Sequence, residues 1–268
     1  MKPRSPTLAP RLLTEERRRK IAQLVMEHGR ATVEELAARY EVSTVTIRGD
    51  LEALARSGAL VRSHGGAIRV DDAGPVQDAP LSIKATQHQT EKVRIAKVAA
   101  GLIRSGETII LDSGTTTAEI ARLIPRLKLD SLTVITNALN IALELSGPTH
   151  IRVLMLGGLL RPMSYSLVGP HAEQALAGLT ADKLFLGVDG LDPEVGVTTP
   201  EPLEAELNAL MIRVSREVIA VADTSKFGRR SLSVIAPARS LHRLITDAAA
   251  PPEMLDAFRA QGVEVVVA

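Results

Sequence analysis

The chain has 268 residues, 45% apolar and 24% charged, the balance of a globular protein with one large or two ordinary domains and not of a disordered or fibrous chain. It has no Cys, no Trp, 2 Tyr and 3 Phe, which excludes disulfides, thiolate zinc sites, cysteine nucleophiles and broad aromatic platforms for single-stranded bases. Net charge is +1, but residues 1–70 carry 13 Lys/Arg against 8 Asp/Glu, and residues 71–268 carry 19 against 23, so a small polyanion-binding unit is expected before a larger unit with another task.

Residues 1–10 contain basic residues but no apolar segment of a signal peptide, and no uncharged apolar run reaches the ~18 residues that span a bilayer. A cytoplasmic protein without a membrane partner is therefore expected. Thr14, Glu15 and Glu16 suit the start of a helix, Ile21, Leu24 and Val25 give it an apolar stripe, and Gly29 ends it. Thr32-Val33-Glu34-Glu35 reads as a capping box opening a short second helix. After a tight turn at Glu41-Val42, Ser43 caps a third helix in which Ile47, Leu51 and Leu54 face inward. Leu60 to Arg69 reads as two short β segments around Gly65-Gly66. Two helices joined by a tight turn and followed by a hairpin make a winged helix-turn-helix, whose second helix lies in the DNA major groove.

The outer face of that helix carries Thr44, Val45, Arg48 and Glu52. Arg48 offers a bidentate donor fork to guanine or phosphate, while the wing presents Arg62, His64 and Arg69 beside the glycines. The candidate DNA contacts are Ser43, Thr44, Val45, Thr46, Arg48, Arg62, His64 and Gly65. Asp50 lies toward the buried side and is expected to pair with an arginine. Val70 to Pro80 combines one Gly, two Pro and three Asp with no period, so a linker is placed over residues 71–89.

Residues 90–268 alternate short apolar strands with helical patterns. The strands are expected at Thr108–Asp112, Leu132–Thr136, Ile151–Leu156, Lys183–Gly187, Val218–Ala222, Leu244–Asp247 and Val263–Val267. Near-continuous apolar strands separated by helices indicate a mostly parallel sheet covered on both faces, an α/β domain. Asp112-Ser113-Gly114-Thr115-Thr116-Thr117 follows the first of these strands and opens a helix, a ready anion site. It is neither a Walker A loop nor a dinucleotide fingerprint. Asn137, Asp189 and Lys226 follow other strands. Carboxylate, amide and ammonium groups on one rim suit a polyhydroxylated anion, with Lys226 meeting phosphate or an oxyanion. The six His, at 28, 64, 88, 150, 171 and 242, have no close-spaced pair, so neither a metal nor a cofactor is expected.

Ser43 to Leu51, with Arg62-Ser63-His64-Gly65-Gly66-Ala67, resembles the DNA-binding domain of the DeoR family of bacterial transcription regulators. Gly49 departs from that pattern, which usually has Arg or another polar residue there. The larger part resembles the DeoR-type sensor domain, similar in fold to pentose-phosphate isomerases and glucosamine-6-phosphate deaminases. The matching segments are Leu111–Thr117, Thr136-Asn137, Gly157 to Pro162, Asp182–Asp189 and Ala222–Gly228. The resemblance implies a winged helix-turn-helix DNA-binding domain over 1–70 and a sugar-phosphate-sensing α/β domain over 90–268. It implies that Ser113, Gly114, Thr115, Thr116 and Thr117 hold phosphate and that Asp112, Asn137, Asp189 and Lys226 surround the sugar. Arg161 is implied either to bind ligand or to buttress its loop, and Glu204 and Glu206 open a helix near the place where the isomerases keep a catalytic carboxylate. The expected protein is a non-enzymatic repressor of carbohydrate-metabolism genes, a dimer or tetramer of this chain, with double-stranded operator DNA and a phosphorylated sugar as partners. The alternative is a sugar-phosphate isomerase carrying a DNA-binding domain.

Overall fold

The computed structural model describes residues 14–56, 59–63, 65–68 and 80–268, with backbone alone for Arg56 and 61–63. The chain divides into two compact units, Met1–Gly74 and Pro75–Ala268.

The first unit contains α1 (Thr14–His28), β1 (Arg30–Thr32), α2 (Val33–Tyr40), α3 (Thr44–Arg56), β2 (Val61–Ser63) and β3 (Gly66–Ile68). The expected turn chemistry forms each boundary. Gly29, at φ 81°, ends α1, and its N–H donates to Val25 O at 2.9 Å. Thr32 and Glu35 form the reciprocal capping box of α2, and Glu41 ends that helix in the left-handed region at φ 52°. Ser43 Oγ accepts from Thr46 N–H at 3.1 Å at the head of α3. Ile47, Leu51 and Leu54 are buried against Ile21, Val25 and Leu36, as a 3.6-residue period requires. The wing is more than a hairpin. β1 adds to it, giving the order β1-β3-β2, all antiparallel. Gly66 allows this pairing, because a Cβ there would lie 2.3 Å from Ala31 O.

The second unit begins with α4 (Leu81–Thr86) and α5 (Gln89–Ala100). Residues 81–86 and Gln89, placed in the linker by their proximity to Pro and Gly, therefore belong to helices of the second unit. Next come β4 (Thr108–Leu111), α6 (Thr115–Leu123), β5 (Leu132–Thr136), α7 (Leu139–Glu144), β6 (Ile151–Met155), β7 (Leu159–Arg161), β8 (Ser166–Val168) and α8 (Pro170–Ala177). The remainder is β9 (Ala181–Gly187), β10 (Gly190–Asp192), β11 (Gly196–Thr199), α9 (Pro202–Val214), β12 (Ser215–Val221), β13 (Ser233–Ala236), β14 (Arg243–Thr246), α10 (Pro252–Ala260) and β15 (Glu264–Val267).

The seven strands expected from the apolar runs form one sheet, β15-β14-β12-β9-β4-β5-β6, with every pair parallel. Side-chain alternation divides the core between its faces. Ile109, Leu111 and Phe185 pack with α5 and α6, while Ile110, Leu184 and Leu186 pack with α8 and α9. The chain leaves β4 toward β5 and β6 on one side, and leaves β9 toward β12, β14 and β15 on the other. The order therefore reverses between β4 and β9, and a crevice opens at their carboxyl ends. Two additions carry no clear strand pattern in the sequence: the β7–β8 hairpin and a small antiparallel sheet, β10-β11-β13.

Candidate functional site

The crevice at the ends of β4 and β9 is a cleft lined by the segments that follow those strands and by α4, α6 and α9. One wall is the start of α6. Gly114, at φ 153° and ψ 169°, precedes the helix and supplies no side-chain cap. A Cβ there would lie 3.2 Å from Thr117 Oγ1. The first amides of a helix have no partner within it, and here Ser113, Gly114, Thr115 and Thr116 line the cleft. The helix dipole adds positive potential at the same place.

Lys226 faces this wall from the short 3₁₀ turn Thr224–Lys226. That turn is fastened at its start: Thr224 N–H donates to Asp247 Oδ2 at 2.7 Å and its hydroxyl to Asp247 Oδ1 at 2.6 Å. Burial lowers the Lys226 pKa, although Asp189 and Asp223 favour its charged form. Asp189 follows β9 and accepts a hydrogen bond from Lys84 Nζ at 2.8 Å. Burial alone would raise the Asp189 carboxyl, but Lys84 and Lys226 outweigh it and hold the pKa below the ordinary value.

The floor is acidic. Asp112 is 2% exposed. Its burial and the neighbouring carboxylates Glu204 and Asp189 push its pKa well up, against hydrogen bonds from the backbone N–H groups of Ser113 and Gly187. Burial and like charge thus favour the protonated form of Asp112 relative to an ordinary carboxyl. Asn208 Nδ2 approaches Asp112 Oδ2 at 3.4 Å, and Asn208 Oδ1 has no partner among the described residues. Glu204 accepts from Ser164 Oγ at 3.0 Å and Ser166 Oγ at 2.8 Å, and pairs with Arg161.

Seven of the ten expected effector residues therefore meet at one cleft: Asp112, Ser113, Gly114, Thr115, Thr116, Asp189 and Lys226. The other three lie behind its walls. Thr117 is fully buried and its hydroxyl donates to Gly114 O at 3.1 Å. Asn137 is also fully buried and donates to Leu167 O at 3.3 Å, tying β8 to the end of β5. The Arg161 guanidinium joins β7 to Glu201 and Glu204 on α9. Sequence reasoning left out Lys84, Thr199 and Asn208 as cleft residues. Lys84 was hidden in a presumed linker, and Asn208 sits mid-helix with no local motif.

In the first unit, Val45, Arg48 and Gly49 are exposed on α3, with Thr44 and Thr46 half-buried at its start. Asp50 is buried and pairs with Arg17 at 2.6 Å and Arg18 at 3.0 Å, so it fastens α3 to α1. Arg62 lies on β2 and Gly65 at the turn. His64 and Arg69 lie outside the described residues.

A short helix held by its inner face, with an exposed outer face beside a three-stranded wing, defines a DNA-binding protein of the winged helix-turn-helix class. Residues 17–73 match the DeoR-like helix-turn-helix domain and residues 87–248 the DeoR C terminal sensor domain. The chain belongs to the DeoR family of transcription regulators. It is 42% identical to an Escherichia coli O157:H7 protein named for transcriptional repression of the aga operon, over 95% of this chain and 94% of that one. It is 36% identical to the transcriptional regulator GlpR of Haloferax volcanii, over 95% and 98%. It is 33% identical to the transcriptional repressor GlcR of Bacillus subtilis, over 94% and 96%. Among solved structures, ribose 5-phosphate isomerase A of Methanocaldococcus jannaschii aligns over 54% of this chain and 56% of that one, at 17% identity and a TM-score of 0.40. That likeness is a partial one of backbone course and assigns no residue. Among the described residues, no helix is long and apolar enough to cross a membrane, and no group of His, Asp and Glu suits a metal ion.

Proposed function

We propose that this regulator is a repressor of carbohydrate-metabolism genes whose hold on operator DNA is controlled by a phosphorylated sugar. One observation carries the reading: the uncapped start of α6 and the Lys226 ammonium line the same cleft as Asp112, Asp189 and Asn208. The first two favour an anion, and the others offer donors and acceptors to hydroxyl groups. The repressor names borne by similar proteins in Escherichia coli and Bacillus subtilis support the sign of regulation. The working form is a homo-oligomer, a dimer or tetramer, because paired reading heads match two half-sites on DNA. The ligand acts by binding DNA-competent and DNA-incompetent states with different affinity.

The test is a thermal-shift screen of the full chain against sugar phosphates, with turnover measured on the same samples. A true effector stabilises by about 2.7 kcal/mol at a hundredfold excess over its Kd, releases the chain from a selected operator and is recovered unchanged. Isomerisation of the ligand would establish the enzyme reading instead. A complete absence of stabilisation by any phosphate ester would remove the anion cleft.

A further inference from the structure

The segment that follows the DNA-binding unit in sequence also delivers a cation to the sensor cleft. Lys84 stands on α4, the first element after residues 69–79, and lines the cleft with Thr115 and Lys226 while donating to Asp189. α4 has six residues and no side-chain cap, too little to persist by itself. Besides the Lys84–Asp189 pair, two attachments hold it. Leu81, 8% exposed, donates its N–H to Met163 O at 2.7 Å. Lys92 on α5, 3% exposed, donates its ammonium to the carbonyls of Lys84 and Gln87, the latter at 2.7 Å.

Burying an ammonium against carbonyls is costly, and burial brings the Lys92 pKa down to about 8 even though Asp223 favours the charged form. What this arrangement secures is the place of Lys84. The Lys84 ammonium, in turn, has three donors on a flexible stem. A phosphate entering beside it competes with the Asp189 carboxylate for those donors.

We propose that Lys84 is an anion-contacting residue of the sensor and that α4 registers occupancy: phosphate draws the Lys84 ammonium from Asp189, and Lys92 is the positioning residue that keeps α4 where this exchange takes place. The inference rests on reading the cleft as a phosphate site. It gives the two partners opposite signs. Loss of Lys84 removes a cation from the anion, whereas loss of the Asp189 charge removes its competitor. An ion pair serving the fold alone would weaken the site whichever partner was lost.

The experiment uses the full chain with inorganic phosphate as probe, calorimetry for affinity, circular dichroism for folding, and hydrogen exchange over residues 81–88. Lys84→Met is expected to weaken phosphate binding by about tenfold, the value of one charge-assisted hydrogen bond. Lys84→Arg should restore most of the loss, and Asp189→Asn should tighten binding about threefold through removal of like charge. Saturating phosphate should change exchange over 81–88 in the wild type and leave it unchanged in Lys84→Met. Lys92→Met should speed exchange over 81–88 without ligand and weaken phosphate as Lys84→Met does, with the circular dichroism retained. Wild-type affinity in Lys84→Met, or weakening by Asp189→Asn, overturns the proposal while leaving the phosphate cleft intact. Failure of the wild type to bind phosphate at all overturns both.

Discussion

Helices α2 and α6 both follow a strand and open on hydroxyl residues, yet their first turns are completed in opposite ways. In α2 the Thr32 hydroxyl accepts from Glu35 N–H at 3.2 Å, and the Glu35 carboxylate accepts from Thr32 N–H at 2.8 Å. The Val33 N–H is taken as well, donating to Gly65 O at 2.8 Å. In α6 the preceding residue is a glycine, and the nearby Thr117 hydroxyl turns away to donate to a carbonyl. The amides of that turn remain for whatever enters the cleft. The buried carboxylates differ in the same sense. Asp50 is matched by two guanidinium groups, whereas Asp112 is crowded by other carboxylates and its pKa is pushed up. Asp50 and the first turn of α2 are consumed by folding; Asp112 and the first turn of α6 are held in reserve, at a cost to stability.

The contrast can be broken most severely at Asp50. Asp50→Ala leaves the buried Arg17 guanidinium without its carboxylate and should destabilise the first unit by about 3–5 kcal/mol. Urea unfolding followed by hydrogen exchange in α1 and α3 measures this. A loss under about 0.5 kcal/mol, the range of an ordinary surface change, would show that the pair is dispensable.

Thr115→Asp acts on the reserved side. It sets a carboxylate where the anion would lie, so phosphate affinity should fall by at least about a hundredfold, or 2.7 kcal/mol. The urea midpoint should hold, since Asp suits the start of a helix. On the repressor reading, this variant stays on its operator in the presence of effector. Normal release would remove the α6 turn from the site.

Asp112→Asn sharpens the comparison through pH. The folded chain keeps the Asp112 proton well above the ordinary value of 3.8, while the unfolded chain loses it there. The folded state therefore binds more protons above that pH, and the wild type loses stability as pH rises through this window. The amide has no proton to lose. The variant should be the more stable protein at pH 7, with an advantage that vanishes below about pH 4. An equal gain at pH 3 and pH 7 would contradict an upward shift of the Asp112 pKa.

The smallest effect belongs to Gly49, exposed on α3, where an added Cβ meets nothing within 4 Å. Gly49→Ala should stabilise the first unit by up to about 1 kcal/mol through helix propensity. No change in the thermal midpoint would mean that α3 is fixed wholly by its inner face.

The parallel sheet was legible because each of its strands is a short apolar run between turn residues. Its register at the switch point then brought Asp112 and Asp189 to one place. The β10-β11-β13 sheet was not legible: Gly190-Leu191-Asp192 and Gly196 to Thr199 have neither alternation nor apolar continuity. Lys84 was lost for a different reason. The Pro and Gly residues upstream made residues 80–89 read as connection, and the partner that gives Lys84 its meaning, Asp189, is 105 positions away. Arg161 could be seen as a cation near the ligand, but not as one already claimed by Glu201 and Glu204 from another element.

The span of the cleft along the chain has a consequence for synthesis. Residues 14–68 contain every described element of the reading unit, while the cleft draws on residues from Leu81 to Ile235. Domains fold as units behind the ribosome, at roughly 5–20 residues per second. A growing chain thus carries a complete winged helix on the order of 8–30 s before Lys226 and the strands beyond it are made. During that interval the nascent chain has its winged helix while the cleft is still without Lys226 and the strands beyond it.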